Sequence, residues 1–272
     1  EAAASLGLKT GVPVTYRAGD QPNNALALNV LNPGEVAATG GTSGVVYGVV
    51  DKLVSDRQNR VNSFAHVNHQ PDAPRIGVLL CINGSGIQYG WMRKQVAGDG
   101  VTYPEMEQLA ATVPVGADGL SILPFGNGAE RMLGNQNPGA QILNLHFNRH
   151  DRAHLYRAAL EGVAFSFVYG MQVLQELGMD VSLIRVGNDN LFQSAIFSST
   201  IAQSMDCRIE MLQTTGAVGA AIASGVGIGL WAEVREGLGA LQVERCYEPG
   251  KPDSAYQEAY ERWVGHLKKA MF

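Results

Sequence analysis

Asp20 stands in a tight polar turn, Ala18-Gly19-Asp20-Gln21-Pro22-Asn23-Asn24, and about twenty residues further on the chain reads Gly40-Gly41-Thr42-Ser43-Gly44. A carboxylate projecting from such a turn can accept a proton. Glycines at 41 and 44 let backbone N–H groups, together with the Thr42 and Ser43 hydroxyls, approach an anion closely. One segment can take a proton and the other can hold phosphate, which is half of a phosphotransfer site. Each has an ordinary reading as well. Asp and Asn bond their own backbone in turns, and Gly-Gly and Ser-Gly are common hairpin dipeptides. Against the first stands the extra polar capacity of Asn23 and Asn24, more than one turn uses, while the second segment can be a hairpin and an anion loop at once. No glycine-rich loop ends in Gly-Lys-Ser or Gly-Lys-Thr, so ordinary P-loop chemistry is excluded.

The remaining reactive side chains point to structure. His146, His150 and His154 recur every fourth residue, but the first two precede the helix N-cap expected at Asp151, so the three do not share one helical face as zinc ligands. Solvated or capping roles are expected for them and for His66-x-x-His69. Glu161 is expected to make an i,i+4 pair with Arg157, worth a few tenths of a kcal/mol. Gly84-Ser85-Gly86 lacks the context of a nucleophilic serine. Cys81, Cys207 and Cys246 are odd in number and widely spaced, which fits reduced thiols, mostly as small core residues. No metal-ligating set is expected.

The elements that must position these groups alternate between strand and helix. Val12–Arg17 is read as a strand ending just before Asp20, and residues 23–30 as a short helix. Strands follow at 35–39 and 45–50, flanking the glycine turn. Residues 55–74 form a polar loop with room for a short strand. Arg75–Asn83 is an apolar strand, with a helix opening at Gly84-Ser85-Gly86, and Tyr103–Val113 is a second helix. Leu120–Phe125 is a strand that enters a Gly/Asn-rich loop over 126–139. The strongest helix is Asp151–Gly170, with Asp151 as N-cap and Leu155, Ala158, Ala159, Val163, Phe165 and Phe167 on its buried face. Strands at 182–186 and 207–211 alternate with helices at 191–204 and 216–231, and an amphipathic helix over 256–271 ends the chain.

The 272 residues are 46% hydrophobic, enough for a packed core without disorder. A net charge of −5, with no basic blocks, disfavours nucleic acid. No apolar run approaches a membrane span, and there is no secretory leader pattern, so a soluble cytoplasmic protein is expected. Glu1–Leu8 reads as the end of a helix capped by Gly7, with no initiator Met, which predicts a fragment of something longer.

In chain order, Gly19-Asp20-Gln21, Gly41-Thr42-Ser43-Gly44, Asn83-Gly84 through Trp91-Met92-Arg93, Leu123-Pro124-Phe125 with Glu130-Arg131, residues 154–163 and Gly216-Ala217-Val218-Gly219-Ala220-Ala221 together resemble the C-terminal lobe of the FGGY carbohydrate kinases, most closely the bacterial xylulose kinases. The resemblance implies an α/β, actin-like (ribonuclease-H-like) lobe, a mixed sheet flanked by helices, spanning residues 1–272, with the N-terminal sugar-binding lobe outside this chain. ATP and magnesium would act in the cleft between lobes, and the partners would be ATP or ADP and a small sugar or polyol; a homodimer is also allowed. The resemblance further implies Asp20 as the general base toward a sugar hydroxyl, D-xylulose first, and Gln21 beside the substrate. It assigns Gly41, Thr42 and Ser43 to the phosphates, Gly86 to the region of ribose and phosphates, and Gly187-Asn188 to the adenosine, with the Gly216–Ala223 helix start supporting that turn. Another FGGY substrate (glycerol, gluconate or ribulose) and a non-catalytic actin-like nucleotide-binding protein are the alternatives. Two positions depart from the family pattern. Asn144 replaces a glycine, and Asn tolerates positive φ best among the other residues. Gly187-Asn188-Asp189-Asn190 replaces a run of glycines, which puts side chains at the purine edge.

Overall fold

A computed structural model describes residues 1–188, 190–240 and 242–271. In chain order the elements are α1 (Ala2–Ser5), α2 (Asp20–Ala27), β1 (Glu35–Gly40), β2 (Gly44–Val50), β3 (Asn62–Ala65), β4 (Ile76–Ile82), α3 (Ser85–Met92), α4 (Tyr103–Ala110), β5 (Ser121–Phe125), β6 (Gly139–Leu143), α5 (Arg152–Glu176), β7 (Leu183–Gly187), α6 (Ala195–Met205), β8 (Arg208–Leu212), α7 (Gly216–Gly227), α8 (Val234–Leu238), β9 (Val243–Tyr247) and α9 (Ser254–Met271). A seven-stranded sheet runs β3-β4-β2-β1-β7-β8-β9, and β5 and β6 form a separate hairpin. β1, β7 and β8 are parallel, and β2 lies antiparallel between β1 and β4. It follows that β1, β4, β7 and β8 all end at one edge of the sheet, the side on which α/β folds place ligands.

Alternate residues of each strand supply two cores. Val46, Val78, Leu80, Ile82, Ile184 and Val186 face the helical layer built on α5, whereas Ala37, Tyr47, Val49 and Leu212 face α2. α5 is buried around most of its circumference rather than along one stripe, because it lies between the sheet, α6 and the β5–β6 hairpin; Leu155 alone of the expected face residues is half-buried. Its N-cap is Asp151, whose Oδ1 accepts from Ala153 and His154 N–H groups. The helix closes on β5 at Gly162, where a Cβ would collide with the Ile122 carbonyl. Asn144 has φ 62, so the turn expected to survive without glycine does so.

Several expectations need correction. Residues 12–17 form no strand: no strand of the sheet pairs with them, and Thr15 reaches α7 instead, its Oγ1 donating to the Ser224 carbonyl (3.0 Å). β6, α8 and β9 lie in stretches where the sequence predicts no element. Cys207 is buried, but Cys81 and Cys246 are half-buried, so one thiol of the three is a core residue. Among the described residues no helix is long and apolar enough to cross a membrane.

Candidate active site

Asp20 is the first residue of α2, and Gly19 is its N-cap. A carboxylate at this place faces the positive end of the helix dipole. Its Oδ1 accepts from the Gln21 backbone N–H (2.9 Å) and its Oδ2 from Gln21 Nε2 (3.5 Å). The carboxylate is otherwise exposed and lines a cleft of about 730 Å³ bounded by residues 15–22, by Phe64 and His66 and by Leu79. It therefore sits on a helix start, not past a strand end. Two contacts hold that start in place. Tyr16 OH donates to Asn23 Oδ1 (2.6 Å), and α7 packs on α2 so closely that a Cβ on Gly219 would collide with the Asn23 carbonyl.

β1 and β2 pair in register up to Gly40 opposite Gly44, which makes residues 41–43 the tip of a hairpin. Gly86 N–H donates to the Gly41 carbonyl (2.8 Å) and Ile87 N–H to the Thr42 carbonyl (3.4 Å), so the hairpin is tied to the start of α3. Only glycine fits at 86, because a Cβ would press on the Gly41 carbonyl. Among the described residues the Thr42 and Ser43 amides donate to no protein acceptor, and both residues are exposed. Gly187 ends β7, Asn188 N–H donates to the Leu212 carbonyl (3.0 Å), and Asn190 at φ 54 brings its side-chain amide to the hairpin at Gly41. Asp189 lies outside the described residues. The structure thus joins Gly41, Thr42, Ser43, Gly86 and the turn after Gly187 along one sheet edge. Asp20 and Gln21 occupy the α2 side of the same edge, where the Asp20 carbonyl abuts Gly216 at the start of α7. The small residues of α7 pack on this helix α2 rather than under the Gly187 turn.

Among the other groups His66 departs from expectation. His66 is buried, neither solvated nor capping. Its Nε2 meets the Val30 carbonyl (3.0 Å), which can only accept, so Nε2 carries the proton and Nδ1 accepts from Tyr47 OH (2.7 Å). Burial pushes the His66 imidazole down to about 4. The expected pair of Glu161 with Arg157 forms, but inside the protein rather than on its surface. Both are buried, and the carboxylate accepts from Arg157 Nε (2.6 Å) and Gly116 N–H (3.0 Å). His146 and His150 precede α5, while His154 bridges Asp151 Oδ1 (2.8 Å) and Asp118 Oδ2 (3.1 Å). Burial works against its charge, but those carboxylates outweigh it and hold the imidazole above its ordinary value. Two features had no role assigned from sequence. Glu130, at φ 47, accepts from Asn83 Nδ2 (3.2 Å) just past β4, and an apolar cavity of about 440 Å³ opens between α3 and the β5–β6 hairpin, beside Trp91 and Ile142. Neither is readable in the sequence: the positive φ of Glu130 is set by the fold, and Ile87 and Trp91, four residues apart, read equally well as a buried helix face although the structure exposes both.

Comparison with known proteins decides the family. Residues 36–228 match the model described as the FGGY family of carbohydrate kinases, C-terminal domain. The chain belongs to this family. It is 28% identical over 282 residues to a xylulose kinase of Haemophilus influenzae, covering 99% of this chain and 54% of that protein. With a gluconokinase of Bacillus licheniformis it shares 30% identity over 196 residues, 68% of this chain and 37% of that protein. The solved structure of a xylulose kinase from Rhodospirillum rubrum overlays with a TM-score of 0.85 at 26% identity, covering 98% of this chain and 54% of that one. The actin-like, ribonuclease-H-like architecture expected for an FGGY lobe is therefore present. The chain spans about half the length of the curated relatives it matches.

Proposed function

We propose that residues 1–272 are the nucleotide-binding lobe of an ATP-dependent sugar kinase whose sugar-binding lobe lies outside this chain, with D-xylulose converted to D-xylulose 5-phosphate. The observation that carries this reading is the shared sheet edge, with open amides at Thr42 and Ser43 and, on its α2 side, an exposed carboxylate at a helix start. The Thr42 and Ser43 amides and hydroxyls surround the phosphates in place of water, and Gly86 lets the hairpin close on α3 without a side chain between them. Asp20 accepts the proton of the sugar hydroxyl as its oxygen bonds to the γ-phosphorus and the bond from that phosphorus to ADP breaks. Gln21, already bonded to Asp20, orients the carboxylate and faces the substrate. Gly187 and Asn188 border the adenosine.

No group of three or more His, Cys, Asp or Glu among the described residues is placed to hold a metal. The donors at this edge fit magnesium that arrives on the nucleotide: the Asp20 carboxylate and the Thr42 and Ser43 hydroxyls are oxygens, which magnesium prefers alongside phosphate and water. When bound it supplies positive charge to the phosphates. D-xylulose is favoured because the relatives that match along nearly the whole chain include several named xylulose kinases; gluconate, ribulose and glycerol are the substrates to compare with it. In the full-length protein Asp20→Asn is expected to lower kcat about a thousandfold, with the Kd for magnesium-ADP changed less than about twofold. Undiminished sugar phosphorylation by that variant would remove Asp20 from the mechanism.

A further inference from the structure

Four consecutive residues between α4 and β5, Gly116, Ala117, Asp118 and Gly119, have φ of 82, 47, 51 and 95. Glycine takes this backbone freely, but Ala117 and Asp118 carry a Cβ that crowds it, so the turn stands only because its surroundings hold it. Its ends are held from outside. Gly116 N–H donates to the Glu161 carboxylate (3.0 Å), the Gly116 carbonyl accepts from Arg262 Nη2 (3.0 Å), and the Gly119 carbonyl accepts from Asn144 Nδ2 (3.3 Å). Its middle is held by two histidines. His150 accepts the His146 N–H at Nδ1 (3.1 Å), so its own proton is on Nε2, which reaches the Asp118 carbonyl (3.4 Å). His154 Nε2 meets the Asp118 carboxylate (3.1 Å), and its Nδ1 meets the carboxylate of Asp151, the N-cap of α5 (2.8 Å).

A neutral imidazole has one N–H, and only the imidazolium can donate to both carboxylates. The neutral ring has a second pairing within reach, because the Asp151 N–H lies 3.3 Å from Nδ1 and can donate to it. That exchange gives up the closer Asp151 carboxylate and leaves Asp118 a neutral donor in place of an ion pair. We propose that His154 is a pH-dependent clamp: its imidazolium ties the middle of the left-handed turn to the start of α5, and loss of its proton slackens that turn while the ends stay fixed. Asp118 and Asp151 are the charged groups on the ring. His150 lies against it, with ring centres 5.2 Å apart, and beyond His150 stands His146. From α9, Arg262 and His266 reach the Gly116 carbonyl and Asn144 rather than the ring, and Glu161 reaches Gly116. Burial opposes the charge on His154, but the two carboxylates outweigh it, so the folded chain holds this proton more tightly than the unfolded one. The clamp is therefore complete below the ordinary value near 6.5 and is lost as pH rises through the higher folded value. His66 titrates on the opposite side of 6.5.

Amide hydrogen exchange of this chain from about pH 6 to about pH 9 tests the clamp, read as protection factors so that the intrinsic rise in exchange rate with pH is removed. The reporters are the Gly119 and Leu120 N–H groups, which bond across the turn to the Gly116 and Ala117 carbonyls (2.9 and 3.0 Å). Their protection is expected to fall about fivefold over that range, the effect of one partly exposed ion pair. Asp118→Asn removes the charge but keeps a residue that accepts positive φ, so its protection should change by less than about twofold, and His154→Gln should behave alike. His150→Gln, which alters only the carbonyl contact, should keep the fall. Protection that is flat with pH in the unaltered chain would overturn the proposal. So would a fivefold fall that persists in Asp118→Asn.

Discussion

His66 carries the clearest pH dependence at the level of single residues. Its neutral Nε2–H form is locked between Val30 and Tyr47, and burial depresses it to about 4 from an ordinary value near 6.5. Protonation then favours the unfolded chain. The stabilisation is complete above about pH 6.5 and is lost as pH falls toward 4, at up to about 1.4 kcal/mol per pH unit, about 3 kcal/mol in all. Denaturant midpoints measured from pH 7 to 4.5 are expected to fall less steeply in His66→Gln than in the unaltered chain; parallel curves would show that His66 is not the titrating group. No local pattern announces this role, because burial comes from Tyr47 on β2 and Val30 after α2 meeting over β3. Glu161 was hidden in the same way: spacing predicted its partner Arg157, but only the fold brings Gly116 against the carboxylate. The hairpin tip at Gly41 and the turn at Asn144 are legible because residue type alone restricts what they can do: glycines suited to a tight turn and an asparagine that accepts φ 62. The place of Asp20 is not, since the polar run that reads as a turn is the start of α2.

Between elements, the pairing that matters for the site is α2 on α7. Gly219 lets the two backbones touch, and Gly216 abuts the Asp20 carbonyl, so α7 fixes both the tilt and the start of the helix that presents the carboxylate. Alanine is the better helix former than glycine by about 1 kcal/mol. Any loss in Gly219→Ala must therefore come from α2 being pushed away. Displacement of a catalytic group by about 1 Å can cost on the order of a hundredfold, so Gly219→Ala in the full-length protein is expected to lower kcat at least about tenfold while magnesium-ADP affinity, which the proposed function assigns to the hairpin, stays within about twofold. An unchanged kcat would mean that something other than α7 sets Asp20. The periodicity of this region misled in one respect, since residues 12–17 alternate like a strand yet pair with none. β6 and β9 are hard to read for the opposite reason: neither holds a buried residue, β6 alternating only between half-buried and exposed positions and β9 being mostly exposed, so no apolar face marks them.

For the molecule as a whole the question is what this chain can do alone. The chain spans about half the length of the curated relatives it matches, and its candidate base and phosphate amides are exposed along one open edge. Phosphoryl transfer has little covalent chemistry for a protein to assist; the rate comes from holding the hydroxyl, the phosphates and the base in line and out of water. A surface that holds only the nucleotide and the base leaves the sugar free to diffuse, and forfeits most of the effective concentration that a closed cleft supplies. The purified chain is therefore expected to show no turnover of ATP with millimolar D-xylulose above the uncatalysed background, followed as ADP release. Sugar-dependent ADP release by this chain would show that it binds the sugar unaided and would sink the two-lobe reading. If the reading holds, extending the chain upstream by an α/β segment of roughly 200 residues, the size of a typical domain, should restore turnover, and Asp20→Asn in that longer protein should abolish it again.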